Sequence, residues 1–256
     1  MNSEILLYCL HFSGGSAFSY RDFQSHVADF IKIVPLELPG RGKRIKEPLL
    51  TTMAGVIDDL FNQINSTVQS RPYAIYGHSM GAMLSYRLLK RLLAAGLPAP
   101  KHLFVSGREA PSVPAALPLK HQLPKDIFIG YLEKLGGLPA EVLQHQELID
   151  FFEPILRADF QAVEDYFHES TPPFDIPVTV LHGIADQGVA YQNLLAWQLE
   201  TQHALEIKLF PGGHFFIFEH LAQLGRVFSQ ALQPNYPNLL LPPGCQPVSH
   251  RLSQFS

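Results

Sequence analysis

The sequence predicts an α/β domain in which a mostly parallel sheet is covered by helices on both faces. Three observations support this prediction. Almost continuously apolar runs of strand length recur along the chain. Segments with apolar residues at helical spacing separate these runs, as the crossovers between parallel strands require. The chain has 256 residues, 46% of them hydrophobic and 16% charged, which is enough for one large domain with a substantial core.

The elements follow in order along the chain. A strand over 5–10 ends in a Ser- and Gly-rich turn, and residues 17–29 are predicted to be helical. A second strand over 31–36 ends at a Pro-Gly turn. Helical spacing then extends over 52–69. The strand over 73–76 leads into a helix whose stop signals are Gly96 and Pro98, and the remaining strands are predicted over 103–105, 178–181 and 205–210.

One segment departs from this alternation. From about 111 to 173 the sequence has no strand-like run and shows only Pro-punctuated helical patterns. An insertion between strands of such a sheet lies at the carboxyl-end side, where ligands bind. Because it is longer than a minimal crossover, we interpret it as a lid; the alternative is a plain crossover with two core helices. Its two apolar stripes are Phe128, Tyr131, Leu132 and Leu135, and Leu148, Phe151, Phe152, Ile155, Leu156, Phe160 and Val163.

The last predicted helix is followed by a Pro- and Ser-containing stretch over 234–256. We therefore predict a domain over 1–233, with the lid at about 111–173, and a C-terminal tail over 234–256.

Charge and cysteine content narrow the function classes. The formal net charge of −4 gives no electrostatic reason to expect nucleic acid, and no basic run indicates a membrane surface. Cys9 and Cys245 are the only cysteines and form no C-x-x-C pair, so neither a disulfide framework nor a zinc site is expected. Glu4 interrupts the N-terminal region and no basic residues precede it, so we expect no signal peptide and a cytoplasmic protein.

The pentapeptide Gly77-His78-Ser79-Met80-Gly81 lies between a predicted strand and a predicted helix. G-x-S-x-G in this context is typical of a nucleophile elbow, a turn so sharp that the serine hydroxyl projects above the sheet. The alternative interpretation is a serine that caps an ordinary strand-to-helix turn.

A serine nucleophile needs a base that is itself oriented by a carboxylate. In folds with a nucleophile elbow, these residues follow along the chain in the order serine, acid and histidine. Of the twelve histidines, His214 is the best candidate base, because paired glycines carry it past the last strand. Asp186 is the candidate acid, since it follows the 178–181 strand in a short loop. Glu109, which follows the 103–105 strand, is the competing acid, and an Asx-turn is the alternative role of Asp186.

The tetrahedral intermediate needs preorganised hydrogen-bond donors. The N–H of Met80, directly after the serine, is one candidate. The other is expected from the Gly-rich loop after the first strand, where we favour the N–H of Ser13 over that of Phe12.

These residues together resemble the stand-alone type II thioesterases of nonribosomal peptide and polyketide synthesis, which are close to medium-chain acyl-carrier-protein thioesterases. The resemblance runs from about residue 6 to the final helix. It rests on Gly14-Gly15-Ser16, Leu38-Pro39-Gly40-Arg41-Gly42, the elbow, Ser106-Gly107 with Ala110-Pro111, Leu156-Arg157-Ala158-Asp159-Phe160, the Asp186 turn and Gly212-Gly213-His214-Phe215-Phe216.

The resemblance implies an α/β-hydrolase fold with Ser79, Asp186 and His214 as the catalytic triad. It also implies hydrolysis of acyl groups from the phosphopantetheine arm of an acylated carrier protein, without a metal or bound cofactor. A monomer is expected. In the family the acid loop commonly reads G-D-x-D, whereas Ile184 replaces the first Asp here. The loop Ser106-Gly107-Arg108-Glu109 contains no Asp, which favours the stand-alone type over domains fused to synthetases.

Three alternatives stay open on the sequence alone. A carboxylester hydrolase and an acyltransferase use the same serine chemistry on the same fold. A catalytically silent module that binds carrier proteins belongs to a different class, and the intact Ser79, Asp186 and His214 argue against it.

Overall fold

A computed structural model describes residues 4–114, 117–138 and 140–233 of the chain. The predicted tail over 234–256, including Cys245, lies outside the described residues.

Six strands form one sheet in which every neighbouring pair is parallel. The spatial order is β2-β1-β3-β4-β5-β6, so the chain reverses direction across the sheet between β1 and β3. In such sheets the ligand site lies outside the carboxyl ends of the strands at this switch point. The strands are β1 Ile5–Leu10, β2 Ile31–Pro35, β3 Tyr73–His78, β4 Leu103–Ser106, β5 Val178–Gly183 and β6 Glu206–Phe210, which confirms the predicted strands.

The four central strands β1, β3, β4 and β5 are buried on both faces, as the continuous apolar runs predict, whereas the edge strands β2 and β6 are partly exposed. In β1, Leu6 and Tyr8 face a core packed by helices α1 and α2, whereas Leu7 and Cys9 face a second core under helix α8. This alternation is the period-two geometry of a strand that has two apolar sides. The helices are α1 Met53–Val68, α2 Met80–Ala94, α3 Lys125–Leu135, α4 Ala140–Leu143, α5 Gln146–Glu164, α6 Tyr191–Leu195, α7 Phe216–Glu219 and α8 Leu221–Leu232.

The prediction of one continuous helix over 17–29 is wrong. Two short 3₁₀ helices, Ala17–Tyr20 and Phe23–His26, occupy this segment. The Ser16 hydroxyl accepts a hydrogen bond from the Phe18 N–H, and such local bonds compete with a continuous helix. Tyr20 and Phe23, three residues apart, both pack on Tyr76, which suits the three-residue repeat of a 3₁₀ turn.

Helices α3 to α5 form an insertion between β4 and β5, and the described residues from 107 to 177 contain no strand. The C-terminal part of α5 joins the main core through Ala162 and Val163. Leu156 forms a separate small core with Phe128 and Leu132 of α3. The predicted α5 stripe is therefore buried only towards its C-terminal end, because Leu148 and Phe151 at its start are 39% and 53% exposed.

Within the described part of the chain, no helix combines the length and apolarity needed to cross a bilayer. The same residues contain no cluster of His, Cys, Asp and Glu side chains suited to a metal ion.

Candidate active site

Ser79 lies between β3 and α2 and has φ 55° and ψ −113°. It is the one residue other than glycine with a positive φ among those described, which is the strained conformation expected of a nucleophile elbow. A side chain on Gly77 would collide with the backbone of Gly81, and one on Gly81 would collide with the carbonyl of Leu10. Both glycines are thus required for β1, β3 and α2 to approach at this point.

His214 and Asp186 are brought together at the carboxyl ends of β6 and β5. The His214 Nδ1–H donates to Asp186 Oδ2 at 2.7 Å, and both side chains are almost fully buried. The two loops also bond to each other, since the Ala185 N–H donates to the Gly212 carbonyl at 2.9 Å. Gly183 packs directly on the Gly213 backbone, where a side chain would collide. These contacts hold the imidazole in one orientation.

The Asp186 carboxylate is stabilised in its charged form. Burial on its own would raise the pKa of Asp186, but the hydrogen bond and charge of His214 and the Gly188 N–H outweigh it, so the pKa lies below its usual range. The Gly188 N–H donates to Asp186 Oδ1 at 2.9 Å. This bond supports the acid although Ile184 stands where the resemblance leads us to expect Asp, and Ile184 is 66% exposed.

Ser79 and His214 line the same cavity, which encloses about 130 Å³. The Nε2 of His214 is buried and has no hydrogen-bond partner among the described residues, so no bond joins it to the Ser79 hydroxyl. Catalytic hydrogen bonds of this kind are often loose in unliganded enzymes and tighten when the substrate binds.

The two predicted oxyanion donors also line this cavity. Met80 is the first residue of α2, so its N–H is one of the helix donors without an intrahelical partner. Residues Phe12 to Gly15 form a turn closed by a 2.9 Å bond from the Gly15 N–H to the Phe12 carbonyl. The Ser13 N–H donates to no protein acceptor within the described part of the chain. The Phe12 ring instead packs edge-on against His78 and Phe215.

Helices of the insertion cover the serine. Tyr131 and Leu135 of α3 and Phe160 and Val163 of α5 form part of the cavity wall. The remainder of the lining includes four charged residues, Arg108, Glu109, Lys120 and Glu164. Burial lowers the pKa of Arg108, and the nearby acidic groups and Tyr131 partly oppose that effect. The apolar stripes predicted from sequence thus supply only part of the wall.

The sequence analysis did not identify Gly107 and His78 as contributors to this site. The His78 and His214 rings lie 4.9 Å apart, and the His78 Nδ1 bonds to the Ser106 hydroxyl at 2.8 Å. Burial, with the His214 ring adding to it, holds the pKa of His78 well below its usual range, so His78 is neutral. Gly107, with φ 61°, leaves room for both rings: a Cβ there would lie 2.6 Å from His78 Cε1 and 3.2 Å from His214 Cε1. The sequence signal was the Ser106-Gly107 pair itself.

The competing acid Glu109 lacks the required contact, and two other titratable residues near the strand ends, Asp175 and His220, have partners elsewhere. Glu109 lines the cavity but makes no hydrogen bond to His214. Asp175, before β5, pairs with His203 at 2.9 Å. His220 bonds through Nε2 to the Pro211 carbonyl.

The chain is similar to known proteins over most of its length. The family model of the thioesterase domain matches residues 6–232. The chain belongs to the thioesterase family. It is 36% identical over 217 residues to the gramicidin S biosynthesis protein GrsT of Aneurinibacillus migulanus, which covers 85% of this chain and 84% of that protein.

Solved structures agree with this assignment. ClbQ, from the colibactin nonribosomal peptide and polyketide pathway, is similar with a TM-score of 0.85 at 36% identity, covering 90% of this chain and 97% of that one. YbtT, a type II thioesterase from the yersiniabactin pathway, has a TM-score of 0.78 at 30% identity, covering 89% and 91%. The predicted resemblance to type II thioesterases is confirmed. This thioesterase therefore has the α/β-hydrolase fold and is a hydrolase that acts on thioester bonds.

Proposed function

We propose that this thioesterase removes acyl groups from the phosphopantetheine arm of carrier proteins in nonribosomal peptide or polyketide synthesis. Ser79 is the nucleophile, His214 the general base and Asp186 the residue that orients His214. One observation supports this proposal above all. Ser79, in its strained backbone conformation, lines the same cavity as His214, and the His214 Nδ1–H donates to Asp186 at 2.7 Å. Relatives named for such pathways support the substrate class.

The reaction proceeds through an acyl-enzyme. The Ser79 Oγ attacks the thioester carbonyl carbon while His214 Nε2 accepts the hydroxyl proton. The tetrahedral intermediate collapses with cleavage of the C–S bond, and His214 protonates the leaving thiolate. A water then attacks the acyl-enzyme as His214 accepts its proton, and the second collapse releases the carboxylic acid and restores the Ser79 hydroxyl. The Asp186 carboxylate, with its lowered pKa, stabilises the imidazolium formed in each half-reaction.

The backbone N–H groups of Met80 and Ser13 hold the oxyanion of both intermediates. Met80 N–H has the additional advantage of the α2 N-terminus, where the helix dipole favours negative charge. Removing one oxyanion donor costs about 3 kcal/mol of transition-state stabilisation in well-studied hydrolases. Because both donors are backbone N–H groups, stabilisation of the oxyanion depends on where these groups lie and not on the side chains of Met80 and Ser13.

The cavity beside Ser79 measures about 130 Å³. Arg108, Val163 and Glu164 of its wall also line a neighbouring pocket of about 450 Å³, which offers further space for an acyl group. The wall that Tyr131, Leu135 and Phe160 contribute supports the predicted lid role of the insertion. We further propose a monomeric, cytoplasmic enzyme whose macromolecular partner is the acylated carrier protein.

The test is intact-protein mass spectrometry of a carrier protein loaded with acetyl, aminoacyl or longer acyl groups, before and after addition of the enzyme. The wild-type enzyme is expected to restore the free phosphopantetheine mass, and Ser79→Ala to leave the acyl mass in place. Ser66→Ala, which changes an exposed serine on α1, is the matched control and is expected to behave as wild type. Persistent hydrolysis by Ser79→Ala would contradict the proposal.

Two further outcomes identify the alternatives. A higher kcat/KM for oxygen esters than for carrier-bound thioesters would indicate a carboxylester hydrolase. Failure of a fluorophosphonate to label Ser79 would indicate a module that binds carriers without catalysis.

A further inference from the structure

The turn that carries Ser13 has a central peptide with two available orientations. Gly14 has φ 75°, the positive value that the third residue of a type II turn requires. Type I and type II turns differ mainly by a flip of the peptide between their two central residues, here Ser13 and Gly14. That flip reverses the Gly14 N–H and the Ser13 carbonyl, whereas the Ser13 N–H belongs to the preceding peptide and keeps its direction. A group that accepts from the Gly14 N–H therefore selects the type II form and fixes the place of the turn, and with it the position of the Ser13 N–H.

Asp159 of α5 makes the contact that does so. The Gly14 N–H donates to Asp159 Oδ2 at 2.8 Å. The same carboxylate receives two bonds from Arg41, at 2.6 Å to Oδ2 and 2.7 Å to Oδ1. Arg41 also donates to the Gly15 carbonyl at 3.4 Å. Arginine and carboxylate thus hold the turn from both sides of Gly14.

The arrangement is buried and rigid. Asp159 is 2% exposed and Arg41 5%. A buried, bidentate arginine–carboxylate pair has fixed geometry, since neither partner can leave without stranding a charge. Leu156, one turn before Asp159, packs where a Gly14 side chain would project, with its Cδ2 2.6 Å from that Cβ position. Helix α5 therefore holds the turn through the carboxylate of Asp159 and the apolar side chain of Leu156.

We propose that Asp159 is a positioning residue for the oxyanion hole: by anchoring Gly14 it holds the turn, and with it the Ser13 N–H, at the place that the transition state requires, and Arg41 holds Asp159. This inference rests on the proposed hydrolysis at Ser79. It also makes the C-terminal half of α5 a fixed part of the catalytic centre, so that any opening of the insertion takes place towards α3.

The test compares two double variants that both remove the ion pair. Asp159→Asn with Arg41→Met keeps an oxygen that accepts from the Gly14 N–H. Asp159→Leu with Arg41→Met has nearly the same volume but no acceptor. Replacing a buried ion pair by apolar side chains is often neutral for folding, so both variants are expected to fold. Each is assayed with an acyl-N-acetylcysteamine thioester, with urea unfolding as the measure of stability.

We expect the Asn variant to keep kcat within about threefold of wild type. The Leu variant is expected to lose about tenfold to hundredfold in kcat, with KM changed less than threefold, because a misplaced donor costs somewhat less than an absent one. An acyl trifluoromethyl ketone, whose adduct with Ser79 carries an oxyanion, is expected to bind the Leu variant more weakly by the same factor.

Equal kcat in the two variants, or a kcat loss without a matching loss of ketone affinity, would overturn the positioning role. A purely structural ion pair would lower both activities in step with stability. Wild-type hydrolysis in the same assay separates this result from failure of the proposed function, which would leave the wild type itself inactive.

Discussion

The two sides of Ser79 are held in different ways. On the base side, the loops after β5 and β6 support each other: Asp186 bonds His214, and Ala185 bonds Gly212. On the oxyanion side, the loop after β1 is held by Asp159, a residue 145 positions away from Gly14 in the sequence. One side is assembled from adjacent strand ends, and the other depends on a helix of the insertion.

This difference has a functional meaning. The base side is complete within the sheet and its short loops, so it requires nothing from the insertion. The proposed oxyanion side includes the Gly14 turn, which is bonded to Asp159 of α5. Changes on the base side should therefore act on the proton transfers, and changes in α5 should act on the stabilisation of the intermediate.

The largest effect on the base side is expected for Asp186→Asn. Loss of the carboxylate leaves His214 without the partner that fixes its tautomer and stabilises its charged form, and kcat should fall about 10⁴-fold. Steady-state kinetics on an acyl thioester measure this loss. A loss under tenfold would mean that another acid, with Glu109 the nearest candidate in the cavity wall, orients His214.

The pH dependence of stability provides a control for the same variant. Since the folded pKa of Asp186 lies below its unfolded value of about 3.9, the ionised form stabilises the fold above that pH and loses its contribution as pH falls through the folded pKa. The difference in the free energy of unfolding between wild type and Asp186→Asn should therefore shrink between about pH 5 and pH 2. A constant difference would contradict the lowered pKa.

A smaller effect is expected for Gly107→Ala, with Gly96→Ala as its matched control. Both glycines have positive φ, 61° and 70°, so alanine costs about 1–2 kcal/mol of backbone strain at either position. A Cβ on Gly96 meets nothing within 4 Å, whereas one on Gly107 presses on the His78 and His214 rings. Gly107→Ala should therefore lose more stability in urea than Gly96→Ala, because the clash with the buried His78 adds to the strain, and only Gly107→Ala should lose kcat, by about tenfold to hundredfold. Equal activities would show that His214 tolerates displacement.

The smallest effect is expected for Ile184→Asp, which introduces the first Asp of the G-D-x-D loop that the resemblance leads us to expect. Asp186 already has bonds from His214 and from the Gly188 N–H, and Ile184 is mostly exposed. The kcat/KM should stay within about threefold and the free energy of unfolding within about 0.5 kcal/mol. A tenfold gain in kcat/KM would instead show that the acid is poorly held in the wild type.

Prediction from sequence succeeded where the physical cause is local. The elbow needs glycines at fixed offsets from Ser79, and the Asp186 and His214 loops are short and follow apolar strands. Because parallel strands bring their carboxyl ends to one edge, residues in such loops meet without further information. The six strands were predicted because the apolar run that marks each strand is also a local feature of the sequence.

Prediction failed where distant or competing contacts decide. The segment over 17–29 has a helical pattern, but local serine bonds and the packing of Tyr20 and Phe23 on Tyr76 divide it into 3₁₀ turns. Gly14, Arg41 and Asp159 each lie in a segment that carries the family resemblance, but nothing in these separate segments indicates that the three residues contact one another. Nor does the apolar pattern of the insertion reveal the charged residues in the cavity wall.

The contact between α5 and the Gly14 turn limits which segments can be exchanged between related thioesterases to make chimeras. Exchanging α3 between relatives changes the cavity wall at Tyr131 and Leu135, and it leaves the packing of Leu156 on the Gly14 turn in place only if Phe128 and Leu132 are kept. A graft that extends into α5 past Leu156 also replaces the support of the turn. The C-terminal junction of the exchanged segment should therefore lie before Leu156. Otherwise α5, the Gly14 loop and the Arg41 loop should all be taken from the same parent protein.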